Sequence, residues 1–305
     1  MRFRIAYISH ILCFVLGVSV ALLFMSYDIP EHIPHIEKEK FRCIILILSA
    51  PDNVEKRAAV RETWVKFLGT DFLYLFIIGS KDISSDQRSQ IVKEHKSFGD
   101  ILLVPVVDTY GNLSLKVLRS FQEVNSVYDF TYLIKTDDDT FLHIQELKKA
   151  IRLVPKQFLY WGYFSGNARV YRRGKWKELN WFLCDRYLPY ALGGAYILTK
   201  DLVDFIAKNG DNFRLYRSED VTVGTWLAPL NVYRMHDARF DTGTFTRGCQ
   251  DDVIAIHDKS PDQLRIYHRR LMNGLGPCPE VKLKLQPYLY NWSVLPSQCC
   301  RTVRS

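Results

Sequence analysis

The chain has 305 residues, 48% hydrophobic and 24% charged, which is enough for one large α/β body and too apolar for a disordered chain. A formal charge of +8 admits nucleic acid, an anionic membrane face or acidic small molecules such as nucleotide diphosphates. The cations form no dense run and no finger, knuckle or RNP-type motif occurs, so the expectation is no nucleic acid.

Residues 5–27 are almost wholly apolar, broken only by Ser9, His10, Gly17, Ser19 and Ser26, and match the ~20 residues that cross a bilayer as a helix. Arg2 and Arg4 precede this run, while Asp28, Glu31 and Glu37 follow it. The positive-inside bias therefore predicts a cytosolic tail (1–4), a signal-anchor transmembrane helix (5–27) and a lumenal remainder. A signal peptide cleaved after Ser19-Val20-Ala21 is the alternative, disfavoured by the apolar run that continues through Met25. Residues 28–41, with Pro30, Pro34 and several charges, read as a stem, and residues 42–305 as a single lumenal domain.

Runs of buried-strand character follow at 43–48, 72–78, 101–106 and 130–134, separated by helix-like stretches at 54–66, 84–95 and 113–128. In the last stretch Val117, Leu118, Phe121, Val124 and Tyr128 recur at helical spacing. This alternation predicts a parallel, Rossmann-like sheet with helices on both faces and a ligand at the carboxyl ends of the strands. Further strands are expected at 159–163 and 195–198 and a helix at 201–208, with a loop-rich region after Asn231.

The fourth strand runs into Asp137-Asp138-Asp139. Three adjacent carboxylates repel unless a cation sits among them, and carboxylate oxygens suit Mn²⁺ or Mg²⁺ bridging to nucleotide phosphates; a solvated acidic turn is the alternative. Glu219-Asp220 opens a helix, where a carboxylate serves as a cap or as the base that takes a proton from an attacking hydroxyl. His257, ending the run 253–256, is placed to complete a metal site or to be an ordinary buried histidine. Gly193-Gly194 implies a tight turn or a close ligand approach, and Tyr160, Trp161, Tyr163 and Phe164 a sugar-stacking wall or core filling.

Seven cysteines occur, and those outside the apolar run are free to form disulfides in an oxidising compartment. The adjacent Cys299 and Cys300 are expected to join two distant partners, because a bridge between neighbours is strained. Asn112-Leu113-Ser114 and Asn291-Trp292-Ser293 are glycosylation sequons in keeping with a lumenal body.

Five ordered motifs carry a resemblance: Arg57 with Arg61-Glu62-Thr63-Trp64, Asp108-x-Tyr110-x-Asn112-Leu113, the Asp137–Asp139 triplet, Tyr187-Leu188-Pro189-Tyr190-x-x-Gly193-Gly194, and Glu219-Asp220-Val221-x-x-Gly224. In this order and spacing they resemble the inverting β1,3-glycosyltransferases of the Golgi, over essentially the whole lumenal part. The segments 159–166, 183–185, 226–229, 236–242 and 296–300 resemble the branch that builds the proteoglycan linker region. Departures are mild: Ser114 replaces Thr and Val60 replaces Ile.

The resemblance implies a GT-A type, Rossmann-like mixed sheet flanked by helices, anchored in the Golgi membrane by the N-terminal helix. It implies UDP-galactose as donor, Mn²⁺ as cofactor and a galactosyl-xylosyl proteoglycan core protein as acceptor; another β1,3-galactosyl- or N-acetylglucosaminyltransfer is the alternative. Carried over by residue, Asp139 and His257 would ligate the metal, and Arg57, Arg61, Asp137, Asp138, Gly193 and Gly194 would serve the donor. Asp220 would be the catalytic base.

Overall fold

The computed structural model describes residues 38–301. The expected tail, the span at 5–27 and most of the stem lie outside the described residues, among which no helix is long and apolar enough to cross a membrane.

The first strand, β1 (Glu39–Leu48), opens among residues read as stem and carries its apolar run into the centre of the molecule, where residues 43–47 are fully buried. Its continuous Ile/Leu run suits a strand covered on both faces. Parallel to it run β2 (Phe72–Lys81) on one side and β4 (Tyr128–Asp137) on the other, with β3 (Ile101–Val107) outside β2. The helices α1 (Val54–Glu62), α2 (Ser85–Phe98) and α3 (Leu113–Val127) make the crossovers. Ser84 caps α2 in a box with Gln87, and Gly99 ends that helix in the left-handed region at φ 69°.

The parallel order expected from the strand-helix alternation ends at β4, and beyond it the sheet is mixed, as the resemblance implies. There β6 (Tyr190–Thr199) pairs antiparallel with β4, β5 (Leu159–Ser165) antiparallel with β6, and β7 (Tyr233–His236) parallel with β5. The order is therefore β3-β2-β1-β4-β6-β5-β7, a mixed sheet. The strand-helix alternation that specifies a parallel unit ends at β4, so periodicity in the first half carried no information about the second.

Side chains alternate between two cores. Ile45 and Ile47 face Trp64, Phe141, Ile144 and Trp161, while Ile44 and Leu46 face Val117, Leu118, Phe121 and Val124 of α3. Those four α3 residues are each at most 1% exposed, so the helical spacing marks the packed face. The Tyr160–Trp161–Phe164 wall fills these cores, with all three side chains fully buried. Helices α4 (Ile144–Ala150), α5 (Lys200–Asn209), α6 (Glu219–Leu227) and α7 (Pro261–Met272) complete the layers. Gly224 lets α6 sit against β6, since a Cβ there would lie 2.4 Å from that of Tyr190.

Cys249 pairs with Cys278, and Cys299 pairs with Cys300 rather than with two distant partners. Of the other described cysteines, Cys43 is buried inside β1, and Cys249 and Cys278 hold each other. Cys184 is unpaired and exposed.

Candidate active site

The site forms where β4 ends. Asp137 closes that strand, Asp139 follows in a turn, and His257 leaves the short strand Ala255–Ile256, which pairs with Phe141–Leu142 and Phe240–Asp241. One ligand atom from each of Asp137, Asp139 and His257 lies within 4.8 Å of the others. His257 Nε2 stands 3.4 Å from Asp137 Oδ2 and 3.3 Å from Asp139 Oδ1. Burial disfavours a charged imidazole, but the hydrogen bonds and charges of Asp137 and Asp139 outweigh it and raise the His257 pKa to about 9.

Two carboxylates and one imidazole suit a divalent ion such as Mn²⁺. Asp139 Oδ1 is buried with only the long 3.3 Å approach of His257 Nε2 satisfying it, which leaves its charge open to a cation. The residues thus fit the implied metal, with Asp137 standing alongside Asp139 and His257.

Asp138 turns away. Its Oδ2 accepts from Ser49 Oγ at 2.7 Å and from Asn53 Nδ2 at 2.8 Å, and burial raises its pKa against the opposing charge of Lys56. Lys56, which the sequence did not single out, donates to Asp139 Oδ2 at 2.9 Å and lies 3.4 Å from Asp138 Oδ1. Its position one turn into α1 carried no distinguishing signal among 41 basic residues.

Arg57 and Arg61 do not face the carboxylates. The fully buried Arg57 grips Glu94 with Nε and Nη2, both at 2.8 Å, and donates to Ser49 Oγ and to the carbonyls of Ala50 and Pro51. Arg61 chelates Asp100 at 2.7 and 2.8 Å and reaches Glu94 at 2.7 Å. Their nitrogens are committed to protein oxygens: Arg57 ties the loop after β1, on which Ser49 holds Asp138, to Glu94, and Arg61 links Glu94 to Asp100. The Asp108 motif is a second buried anchor: its carboxylate takes both bonds from Lys116 Nζ at 2.8 Å and one from the Gly79 amide at 2.8 Å.

Gly193 and Gly194 lie inside β6, not in a turn before it, and both are crowded. A Cβ on Gly194 would meet His257 Cβ at 2.6 Å, and one on Gly193 would meet Asp220 Oδ2 at 3.3 Å. Thr136 and Thr140 both donate to the Gly194 carbonyl, at 3.1 and 3.0 Å. The diglycine is therefore the close contact between the metal-side histidine and the second acidic pair.

In that pair, Asp220 sits in the first turn of α6. Its Oδ1 accepts from the Val221 amide at 2.8 Å and its Oδ2 from the Gly193 amide at 3.0 Å. Burial raises its pKa against these donors and the charge of Lys135. Glu219 is buried, accepts from Tyr196 Oη at 3.0 Å, and is pushed up to about 7 by burial. Tyr110, beside Ser218, has its pKa raised to about 12 by burial, with Asp220 and Glu219 adding to the effect.

Trp181, Tyr187, Tyr190, Tyr216 and Val221 form a separate aromatic cluster next to this turn. The exposed segment above it bears Arg169, Arg172, Arg173, Lys175 and Lys177. This geometry offers a cation site and a carboxylate acceptor of protons on opposite sides of one glycine pair, the minimum for displacing an anionic leaving group with a hydroxyl nucleophile.

Comparison with known proteins agrees with this reading. A family model described as galactosyltransferase matches residues 55–238. The chain is 40% identical over 266 residues to the Beta-1,3-galactosyltransferase 6 of Mus musculus, covering 84% of this chain and 82% of that protein. It is 33% identical over 188 residues to UDP-GalNAc:beta-1,3-N-acetylgalactosaminyltransferase 2 of Xenopus tropicalis, covering 61% of this chain but 38% of that protein. On the sequence match and the site together, the chain is a glycosyltransferase and belongs to the β1,3-galactosyltransferase family.

Proposed function

We propose that the chain transfers galactose from UDP-galactose to the 3-hydroxyl of the terminal galactose in the galactosyl-xylosyl-serine core of proteoglycans, on a GT-A scaffold with inversion. The observation that carries the chemistry is the pairing, across Gly193-Gly194, of the Asp137–Asp139–His257 trio with Asp220. Likeness to a Beta-1,3-galactosyltransferase 6 over most of both chains supports the donor and linkage.

Asp137, Asp139 and His257 would hold Mn²⁺, which when bound neutralises charge on the departing diphosphate. Asp220, oriented by the Val221 and Gly193 amides, takes the proton of the acceptor hydroxyl as that oxygen attacks the anomeric carbon from the face opposite UDP. Its raised pKa fits a base that must accept a proton. One displacement turns an α-linked donor into a β-linked product. Asp138 and Arg57 serve by holding the loop after β1 in place, with Ser49 and Asn53 as the links, and Arg61 serves by fixing Glu94, the partner of Arg57.

The apolar run at 5–27 supports anchorage in the Golgi membrane with the body in the lumen. A donor panel tests the assignment. Incorporation from UDP-galactose alone supports it, whereas preference for UDP-N-acetylgalactosamine, the donor named for the Xenopus relative, would replace the sugar and keep the mechanism.

A further inference from the structure

Lys135 lies on β4 two residues before Asp137, and its side chain is only 3% exposed. An ammonium has three donors, and here three oxygens surround it. Asp137 Oδ1 stands at 2.8 Å, the Gly193 carbonyl at 2.6 Å and Glu219 Oε1 at 3.4 Å. These oxygens come from β4, β6 and α6, and they belong to different halves of the site. Asp137 is a member of the cation-binding trio. Gly193 holds Asp220 through its own amide, and Glu219 immediately precedes Asp220 on α6.

We infer that Lys135 is a positioning residue for transfer, clamping the metal-side carboxylate to the strand and helix turn that carry the base. The clamp fixes how far the Asp220 carboxylate stands from the bound donor. The cause is charge: the carboxylates of Asp137 and Glu219, 28% and 5% exposed, share the one ammonium as counter-ion and lose their common partner without it. Tyr196 Oη and the Gly193 amide tie this turn of α6 to β6 alone, whereas Lys135 ties it to β4 and so to Asp137. Methionine at position 135 would keep the apolar stem and remove the cation. The halves then lose their common reference, and a shift of about 1 Å is enough to lower a rate by about 10²-fold.

This inference rests on the reading of Asp220 as the base, and a double-mutant cycle separates the two. In the full chain, kcat, donor KM and the Mn²⁺ concentration for half-activation are measured for wild type, Lys135→Met, Asp220→Asn and the double variant. Lys135→Met is expected to lower kcat about 10²-fold while leaving donor KM and the Mn²⁺ requirement within about threefold. Added to Asp220→Asn it is expected to cost less than about threefold more, because a clamp acts only through the group it positions. Losses that multiply in the double variant, a loss confined to KM or to Mn²⁺ affinity, or an unchanged kcat would each overturn the clamp. Where Lys135→Met does not fold, Lys135→Gln, whose amide retains two N–H donors, goes through the same comparison under the same criteria. An Asp220→Asn enzyme with wild-type kcat would instead remove the base, and the clamp with it.

Discussion

The Gly193 amide donates to Asp220 Oδ2 at 3.0 Å, so the strand that closes on His257 of the candidate metal trio also holds the proposed base. Strand β6 touches both groups with adjacent residues, and neither residue has a side chain. The spacing between the candidate cation site and Asp220 thereby rests on backbone contacts of β6 together with the Lys135 bridge.

Alanine at these two positions should act unequally. A Cβ on Gly194 would overlap the Cβ and Cγ of His257 at 2.6 Å, whereas one on Gly193 would press the Asp220 carboxylate at 3.3 Å, a contact that a few tenths of an ångström relieves. Gly194→Ala should raise the Mn²⁺ needed for half-maximal transfer by about 10-fold or more, the size of loss seen when a ligand's support is disturbed. Gly193→Ala should leave that requirement near wild type and reduce kcat. Equal Mn²⁺ titrations for the two variants would remove the diglycine from this role.

Asp220→Asn keeps the shape of the side chain and removes its capacity to accept a proton. Transfer should fall by about 10²-fold or more while UDP binding in the presence of Mn²⁺ persists. Single-turnover transfer beside calorimetric UDP binding checks both halves. Loss of UDP binding would assign Asp220 to the donor instead.

The pH dependence follows from burial. Because burial raises the Asp220 pKa, kcat should fall as pH drops, with its acid limb above the 3.8 of an ordinary aspartate. Stability has its own signature. Glu219, raised from 4.5 to about 7, binds more protons in the folded than in the unfolded state over that interval. Its contribution is fully present below 4.5 and is lost as pH rises through about 7. Glu219→Gln should flatten that part of the Tm–pH curve, and an unaltered curve would contradict the assignment.

Asp139→Asn and His257→Gln should each weaken Mn²⁺ activation, while Asp138→Asn should act mainly on stability, since its oxygen serves Ser49 and Asn53. For the metal variants a loss of about 10-fold or more in Mn²⁺ affinity is expected, measured directly by Mn²⁺ binding. A larger loss of affinity from Asp138→Asn than from Asp139→Asn would reverse the two roles.

Arg57→Met should unfold more readily than wild type by about 3 kcal/mol, because Glu94 loses two charge-assisted bonds inside the protein and keeps only Arg61. Urea denaturation measures it. A stable variant with a raised donor KM would put Arg57 in contact with the donor.

Much of this was legible in the sequence because local rules carry it. The buried strands at 43–48 and 72–78, the packed face of α3 and the acidic opening of α6 follow from periodicity and capping, which act within a few residues. The motifs pointed to Asp139 and Asp220, the place of His257 after the run 253–256 and the family resemblance pointed to the histidine, and the fold brings their surroundings together. What escaped depends on long-range contact. Nothing in the order of residues says that Arg57 meets Glu94 rather than a phosphate, that Lys56 reaches Asp139, or that β6 runs against β4. Lys135 was likewise silent, for a single cation in an apolar strand is meaningful only once Gly193 and Glu219 are seen beside it.

The most direct test of the account is to incubate the protein with Mn²⁺, UDP-galactose and a galactosyl-β1,4-xyloside and to determine the linkage of any product. The expected result is one added galactose in β1,3 linkage, absent from Asp220→Asn and abolished by EDTA. Transfer that persists undiminished in EDTA, or a product with retained α configuration, would contradict the metal-and-single-base mechanism; activity only on other glycans would contradict the linker-region acceptor.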